Sequence, residues 1–146
     1  MTPLEFLIFM IGITAAAAAV EAGRRHRHMA ALRRLAAERG MHFSAVDRFR
    51  LAPRVAQRLP VPGAAAVRVL DLLYGVERNN YRYIFATEYT TGVLRSKTGV
   101  RRVATFAEPR DPALAGGDIG ELMFAPDGLS LVEQYRHLLS QVESAT

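Results

Sequence analysis

From Leu4 to Val20 the chain reads LEFLIFMIGITAAAAAV, seventeen residues whose only charge is Glu5. At 1.5 Å per residue such a run makes about 26 Å of helix, the low end of what crosses a hydrocarbon core. Local signals place its start: Thr2 can cap, Pro3 suits the first helical position, and Glu5 completes a T-x-x-E capping box. In lipid a lone segment satisfies its backbone only as a helix. The pattern therefore predicts a single transmembrane anchor over residues 1–23. Two other accounts fit the same residues. A cleaved signal peptide would use the small residues Ala15 to Ala19 but lacks a basic segment before the apolar run; a buried core helix would suit the Ala-rich half, which lipid attracts only weakly. The sequence Gly23-Arg24-Arg25-His26-Arg27-His28 favours the anchor. A basic stop after a span predicts an outside N-terminus and a cytoplasmic body, here at a bacterial inner membrane.

Residues 24–40 keep a helical period. Met29, Leu32, Leu35 and Ala36 recur at three- and four-residue spacing, Arg25, Arg33, Arg34 and Glu38 fall mostly elsewhere, and Gly40 is placed as a C-terminal cap. An amphipathic basic helix directly after a span is expected to lie along anionic lipid headgroups, with Arg24, Arg25, Arg27, Arg33 and Arg34 at the membrane surface. Within the span, Gly12 and Ala16 form a small-xxx-small pair extended by Ala15 and Ala19, a face on which a second helix could pack.

Beyond Gly40 the period changes. A short strand is predicted over Met41 to Ala45 and a short helix over Leu51 to Leu59, which admits Pro53 only in its first turn. Three longer strands follow: Ala66 to Val76, with a phase slip between Val69 and Leu70 of the kind a bulge produces; Tyr81 to Thr91, with Tyr81, Tyr83, Phe85 and Tyr89 on one face; and Val100 to Ala107. Glu77-Arg78-Asn79-Asn80 reads as a tight turn that uses asparagine's tolerance of left-handed backbone. Gly92 to Gly99 reads as a longer loop, and Glu108 to Gly117 as a crossover. A strand around Glu121 to Ala125, a turn at Pro126-Asp127-Gly128 and a helix opened by the capping box Ser130-x-x-Glu133 complete the chain. The expected fold is α+β: a transmembrane helix, then an antiparallel sheet of three to five strands packed by the C-terminal helix, with residues 41–146 as the cytoplasmic domain.

Composition narrows the chemistry. The chain has 146 residues and no cysteine, which excludes disulfides and thiolate sites. The net charge of +5 is concentrated: residues 1–23 carry −2, residues 24–58 carry ten Arg against Glu38 and Asp47, and the remainder carries −1. The basic stripe lacks aromatic interleaving and any nucleic-acid reading motif, so nucleic acid is not expected as a partner. His26 and His28 point in different directions on a helix and have no third ligand nearby, so no metal is expected. Asp71 and Glu88 are the two acids inside predicted strands; they would either approach one another or pair with Arg68, Arg82 or Arg102 on a solvated face. Gly92 to Gly99 holds Lys97-Thr98 between glycines but lacks the glycine directly before the lysine that a phosphate loop requires. The Tyr81 to Tyr89 aromatic row fits a core face better than a base-stacking surface. His42 and His137 have no nucleophile motif beside them.

The runs Ala36-Ala37-Glu38-Arg39-Gly40-Met41-His42-Phe43, Leu73-Tyr74-Gly75 and Phe85-x-x-Glu88-Tyr89-Thr90-Thr91 resemble a loose group of uncharacterised bacterial proteins with a short membrane anchor and a small α+β domain. That resemblance covers about residues 30–107. It implies the architecture and no activity, catalytic residue or cofactor. The expectation is a non-enzymatic accessory subunit of an integral-membrane complex, with other membrane subunits and anionic headgroups as partners. The alternative is a membrane-tethered domain that binds a small ligand or lipid in its sheet-helix crevice.

Overall fold

Helix α1 (Pro3–Glu38) does not stop where the apolar run stops. A computed structural model describes residues 2–60, 63–91, 98–111 and 121–144, and in it α1 is one unbroken helix of 36 residues, about 54 Å long at 1.5 Å per residue. Both ends are chemically defined. The Glu5 amide donates to Thr2 Oγ1 at 3.2 Å and the Thr2 amide to Glu5 Oε2 at 2.7 Å, closing the capping box. At the far end Gly40 takes φ +65°; its amide donates to the Ala37 carbonyl and the Met41 amide to the Ala36 carbonyl. These two bonds make a Schellman stop, and its left-handed residue is the conformation glycine adopts without steric cost.

Seven further elements follow: β1 (His42–Ser44), α2 (Ala52–Arg58), β2 (Ala65–Glu77), β3 (Asn80–Thr91), β4 (Thr98–Pro109), β5 (Met123–Phe124) and α3 (Leu131–Ser144). The strands form one sheet in sequence order, every neighbouring pair antiparallel. This is the expected α+β meander. Strand β4 runs on to Pro109, so the expected crossover begins later than Glu108. Most of that crossover, and Arg95 and Lys97 of the preceding loop, lie outside the described residues.

Alternation sends each strand's side chains to two faces, and both are covered. On one, Leu32, Leu35 and Ala36 of α1 and Tyr135, Leu138 and Leu139 of α3 pack on Leu73, Ile84 and Val103. On the other, Leu51 and Val55 pack on Val69, Leu72, Tyr83, Phe85 and Phe106. Of the aromatic row of β3, Tyr83, Phe85 and Tyr89 are buried, as the pattern predicts, and Tyr81 is exposed; α2, and not the C-terminal helix, covers Tyr83 and Phe85. The reason is competition: α1 and α3 together fill the opposite face, leaving Tyr83 and Phe85 to the seven-residue α2. Asp47 stabilises that short helix from outside, its carboxylate accepting from the Leu51 and Ala52 amides at 2.7 and 2.9 Å. Pro53 sits in the first turn, where no amide is needed.

Strand β2 contains two bulges, not one. Its register against β3 gains an extra residue between Ala65 and Arg68 and another between Leu70 and Leu73. A residue with left-handed backbone lies inside each, Ala66 at φ +52° and Asp71 at φ +50°. The second replaces the slip expected one step earlier, and it puts Leu72 on the same face as Val69, leaving Leu73 for the opposite core cluster. In the β2–β3 turn the left-handed residue is Arg78, at φ +55°, and not an asparagine.

The core of the domain therefore begins inside α1, before residue 41. Leu32→Ala will lower the unfolding free energy of the full chain in detergent by about 2–5 kcal/mol, the usual cost of truncating a wholly buried leucine. Leu7→Ala, at a site 55% exposed, will leave the denaturant midpoint unchanged.

Candidate functional site

The second bulge of β2 aims a carboxylate away from the sheet and at α1. Asp71 Oδ2 lies 3.4 Å from Nε2 of His28, two turns beyond the end of the apolar run. The pair is within ion-pair range, yet Nε2 is shielded from solvent and makes no hydrogen bond. The backbone of the bulge is held from the other side: the Tyr135 hydroxyl, on α3, donates to the Asp71 carbonyl at 2.6 Å. Burial pushes the Tyr135 hydroxyl well above its ordinary range, and the Asp71 carboxylate pushes it further, so it stays protonated and able to donate. Asp71 thereby joins three elements, α1 through its side chain, α3 through its carbonyl and β2 through its own backbone.

Around this junction lies a cleft of about 470 Å³, walled by α1 from Glu21 to Met29, by the sheet at Arg68 to Asp71, Glu88 and Arg101, and by Leu131 of α3. Glu88 accepts from Arg101 Nη2 at 2.9 Å and stands 3.8 Å from Arg68 Nη1. The two strand acids thus share one cleft, but Asp71 faces His28 and Glu88 faces Arg68 and Arg101. Of the partners considered for them, Arg68 is used; Arg82 pairs instead with Glu77 at 3.0 Å and Arg102 with Asp127 at 3.4 Å. A carboxylate pair sharing a proton, the arrangement that raises one acid's pKa for acid catalysis, is not formed by Asp71 and Glu88.

The arginines of the basic stripe separate into groups. Arg24 and Arg25 line the cleft, while Arg27 is exposed on the helix. Further along, Arg33 lies over the Phe43 ring at 5.6 Å and Arg34 pairs with Glu38 at 3.6 Å. The apolar side of this stretch is spent on the domain core, so it has no apolar face left to insert into a bilayer. Gly12, Ala15, Ala16 and Ala19 share one side of the projecting half of α1, all exposed, and a Cβ added at Gly12 would meet nothing within 4 Å.

A second hollow, about 420 Å³, opens on the α2 side of the sheet among His42, Phe49, Tyr74 and Tyr81. Its rings contact edge-on, Phe49 against Tyr74 at 4.9 Å and against Tyr83 at 5.7 Å. The Tyr83 hydroxyl donates to Glu108 Oε1 at 3.0 Å and is raised above its usual range by burial first and by that carboxylate second. Glu108 also meets Arg54 at 2.5 Å, which completes a ring-carboxylate-guanidinium chain tying α2 to β4. The His137 ring nitrogen lies 3.0 Å from the Gln141 side-chain amide of its own helix. Among the described residues no group of three or more His, Asp or Glu is placed to hold a metal.

The junction of His28, Asp71 and Tyr135 is not legible as a motif, since the three are 43 and 64 residues apart along the chain. One signal did point to it: a carboxylate inside a strand, beside a break in the alternation. Comparison of the chain with known protein families, with curated proteins and with solved structures finds no match.

Asp and Asn visit left-handed backbone more readily than other side-chain-bearing residues. Asp71→Ala will therefore be less stable than Asp71→Asn by about 1–2 kcal/mol in denaturant unfolding, because alanine meets the Cβ penalty at φ +50° without a polar side chain to offset it.

Proposed function

We propose that this chain is a non-enzymatic single-pass membrane protein, an accessory subunit that docks against other subunits of a larger integral-membrane assembly of the respiratory, photosynthetic or transport kind. The observation that carries this reading is the continuity of α1. Its first half is apolar and wholly unburied, long enough to cross a membrane, and its second half is a core element of the domain. A domain tethered for free movement would have a linker; here a rigid rod fixes the domain's height and rotation relative to the bilayer. Such rigidity suits a subunit whose surfaces must meet particular neighbours.

The partner-facing side of the span, in this reading, is the Gly12, Ala15, Ala16 and Ala19 face. Apolar side chains are as comfortable in lipid as against one another, so helices in membranes associate through close backbone approach at small residues. The arginine collar sets the orientation, N-terminus outside and domain in the cytoplasm of a bacterial inner membrane. The cleft favours a second reading, a membrane-tethered domain that binds a small ligand or lipid, because it lies at the root of the span.

Alkaline carbonate washing of native membranes will leave the chain, with its apolar run uncleaved, in the pellet. Release into the supernatant, or a mature chain beginning beyond Ala22, would sink the anchor. Gly12→Ile will strip co-purifying membrane subunits from the detergent-extracted protein while its own unfolding midpoint stays put, since among the described residues nothing outside its own helix backbone lies within 4 Å of a Cβ there. Unchanged co-purification would count against the small-residue face.

A further inference from the structure

Four arginines reach the cleft at the root of α1, and they are unequally engaged. Arg68 and Arg101 share the single carboxylate of Glu88. Asp71 is turned to His28. Arg24 and Arg25 have no ion-pair partner among the described residues, and Glu21, on their own helix, is the one remaining acid of the cleft to oppose them. Four arginines against Glu21, Asp71 and Glu88 leave a formal +1 with His28 neutral and +2 with it protonated.

We propose that this cleft receives the phosphate of an anionic membrane lipid, a phosphodiester of the phosphatidylglycerol type. Three features converge on that ligand. The first is charge: an excess of one to two positive charges, presented by guanidinium groups whose forked donors fit phosphate oxygens. The second is size and lining, because about 470 Å³ is room for a headgroup, and Met29, Leu70 and Leu131 give the cleft an apolar side for the glycerol and the first acyl carbons. The third is depth. Arg24 stands about 6 Å along the helix axis from Val20, within the interfacial layer of about 5–8 Å on each side of a bilayer, and His28 stands about 12 Å away, just outside it, so the cleft opens at the headgroup level. A soluble phosphate ester presents the same anion, but it would not need a cleft at this height. The inference rests on the anchor reading above, since α1 must cross the bilayer to bring the cleft to the headgroups.

The test uses the full chain in neutral maltoside micelles. The His28 ring and arginine side-chain NMR resonances are followed while dihexanoyl phosphatidylglycerol, dihexanoyl phosphatidylcholine and inorganic phosphate are titrated separately. Phosphatidylglycerol will give saturable shifts at the cleft residues, and the zwitterionic lipid and inorganic phosphate will bind at least about tenfold more weakly. The double variant Arg24→Gln/Arg25→Gln will weaken phosphatidylglycerol by about tenfold or more, given the usual contribution of each arginine near an anionic surface. Arg33→Gln/Arg34→Gln, the same charge change outside the cleft, will leave it within about twofold. No saturable shift, or equal losses in the two double variants, would overturn the cleft as a binding site. An equal response to inorganic phosphate would overturn the lipid as its ligand. Carbonate washing of the same proteins separates the two failures: a chain that stays in the membrane but binds nothing loses only the cleft, whereas a chain washed free loses the anchor and the inference together.

Discussion

Everything in this molecule depends on the hydrogen-bond ladder of α1 running without a break from Pro3 to Glu38. A helix transmits orientation along its axis because each turn is fixed to the next by backbone bonds, independent of what surrounds it. Side chains alone decide the surroundings. Over the first half none of the large apolar residues is buried, and over the last turns Leu32, Leu35 and Ala36 are sealed under α3 and the sheet. One backbone therefore answers to two environments. The change between them occurs over Glu21 to His28, a stretch too polar for hydrocarbon and too exposed for the core.

That transition stretch would be a bare charged rod if the sheet did not reach it. The reach comes from β2, whose two bulges bend the strand and re-aim its side chains. Left-handed backbone at Asp71 is a local cost, and the structure sets against it the Tyr135 hydroxyl on the carbonyl and His28 on the carboxylate. The cleft thus results from packing the core. Leu72 joins the same cluster as Val69, three residues before it, only because the strand shifts phase at Asp71, and the same shift leaves a carboxylate facing α1.

Much of this fold was legible in the residues. The capping boxes at Thr2 and Ser130, the Gly40 stop, the alternation of β3 and the period of α3 are local signals, and each specifies its element without help from elsewhere. What was not legible is set by tertiary competition. Which helix would cover the aromatic row depended on α1 entering the core, and Leu32, Leu35 and Ala36 read equally well as the apolar side of a helix lying on lipid. Buried Gln134 is a second case: it accepts from the Val103 amide at 3.1 Å and donates to the Leu129 carbonyl, a role that exists only once α3 lies along β4. For the candidate site, sequence singled out Asp71, Glu88, Arg24 and Arg25 separately, and only the register of β2 against β3 and the path of α1 place them around one cavity.

The two faces of the sheet consequently have different freedom. The face under α1 and α3 is tied to the long helix twice, through Leu32, Leu35 and Ala36 in the core and through the Asp71 junction, where α1, α3 and β2 are joined by a carboxylate and a carbonyl of one residue. The face under α2 is held by a chain of Arg54, Glu108 and Tyr83 that touches neither α1 nor α3. The contacts of α1 with the domain core therefore lie on one face of the sheet. The α2 face, with its aromatic hollow, lies across the sheet from them and packs its own cluster.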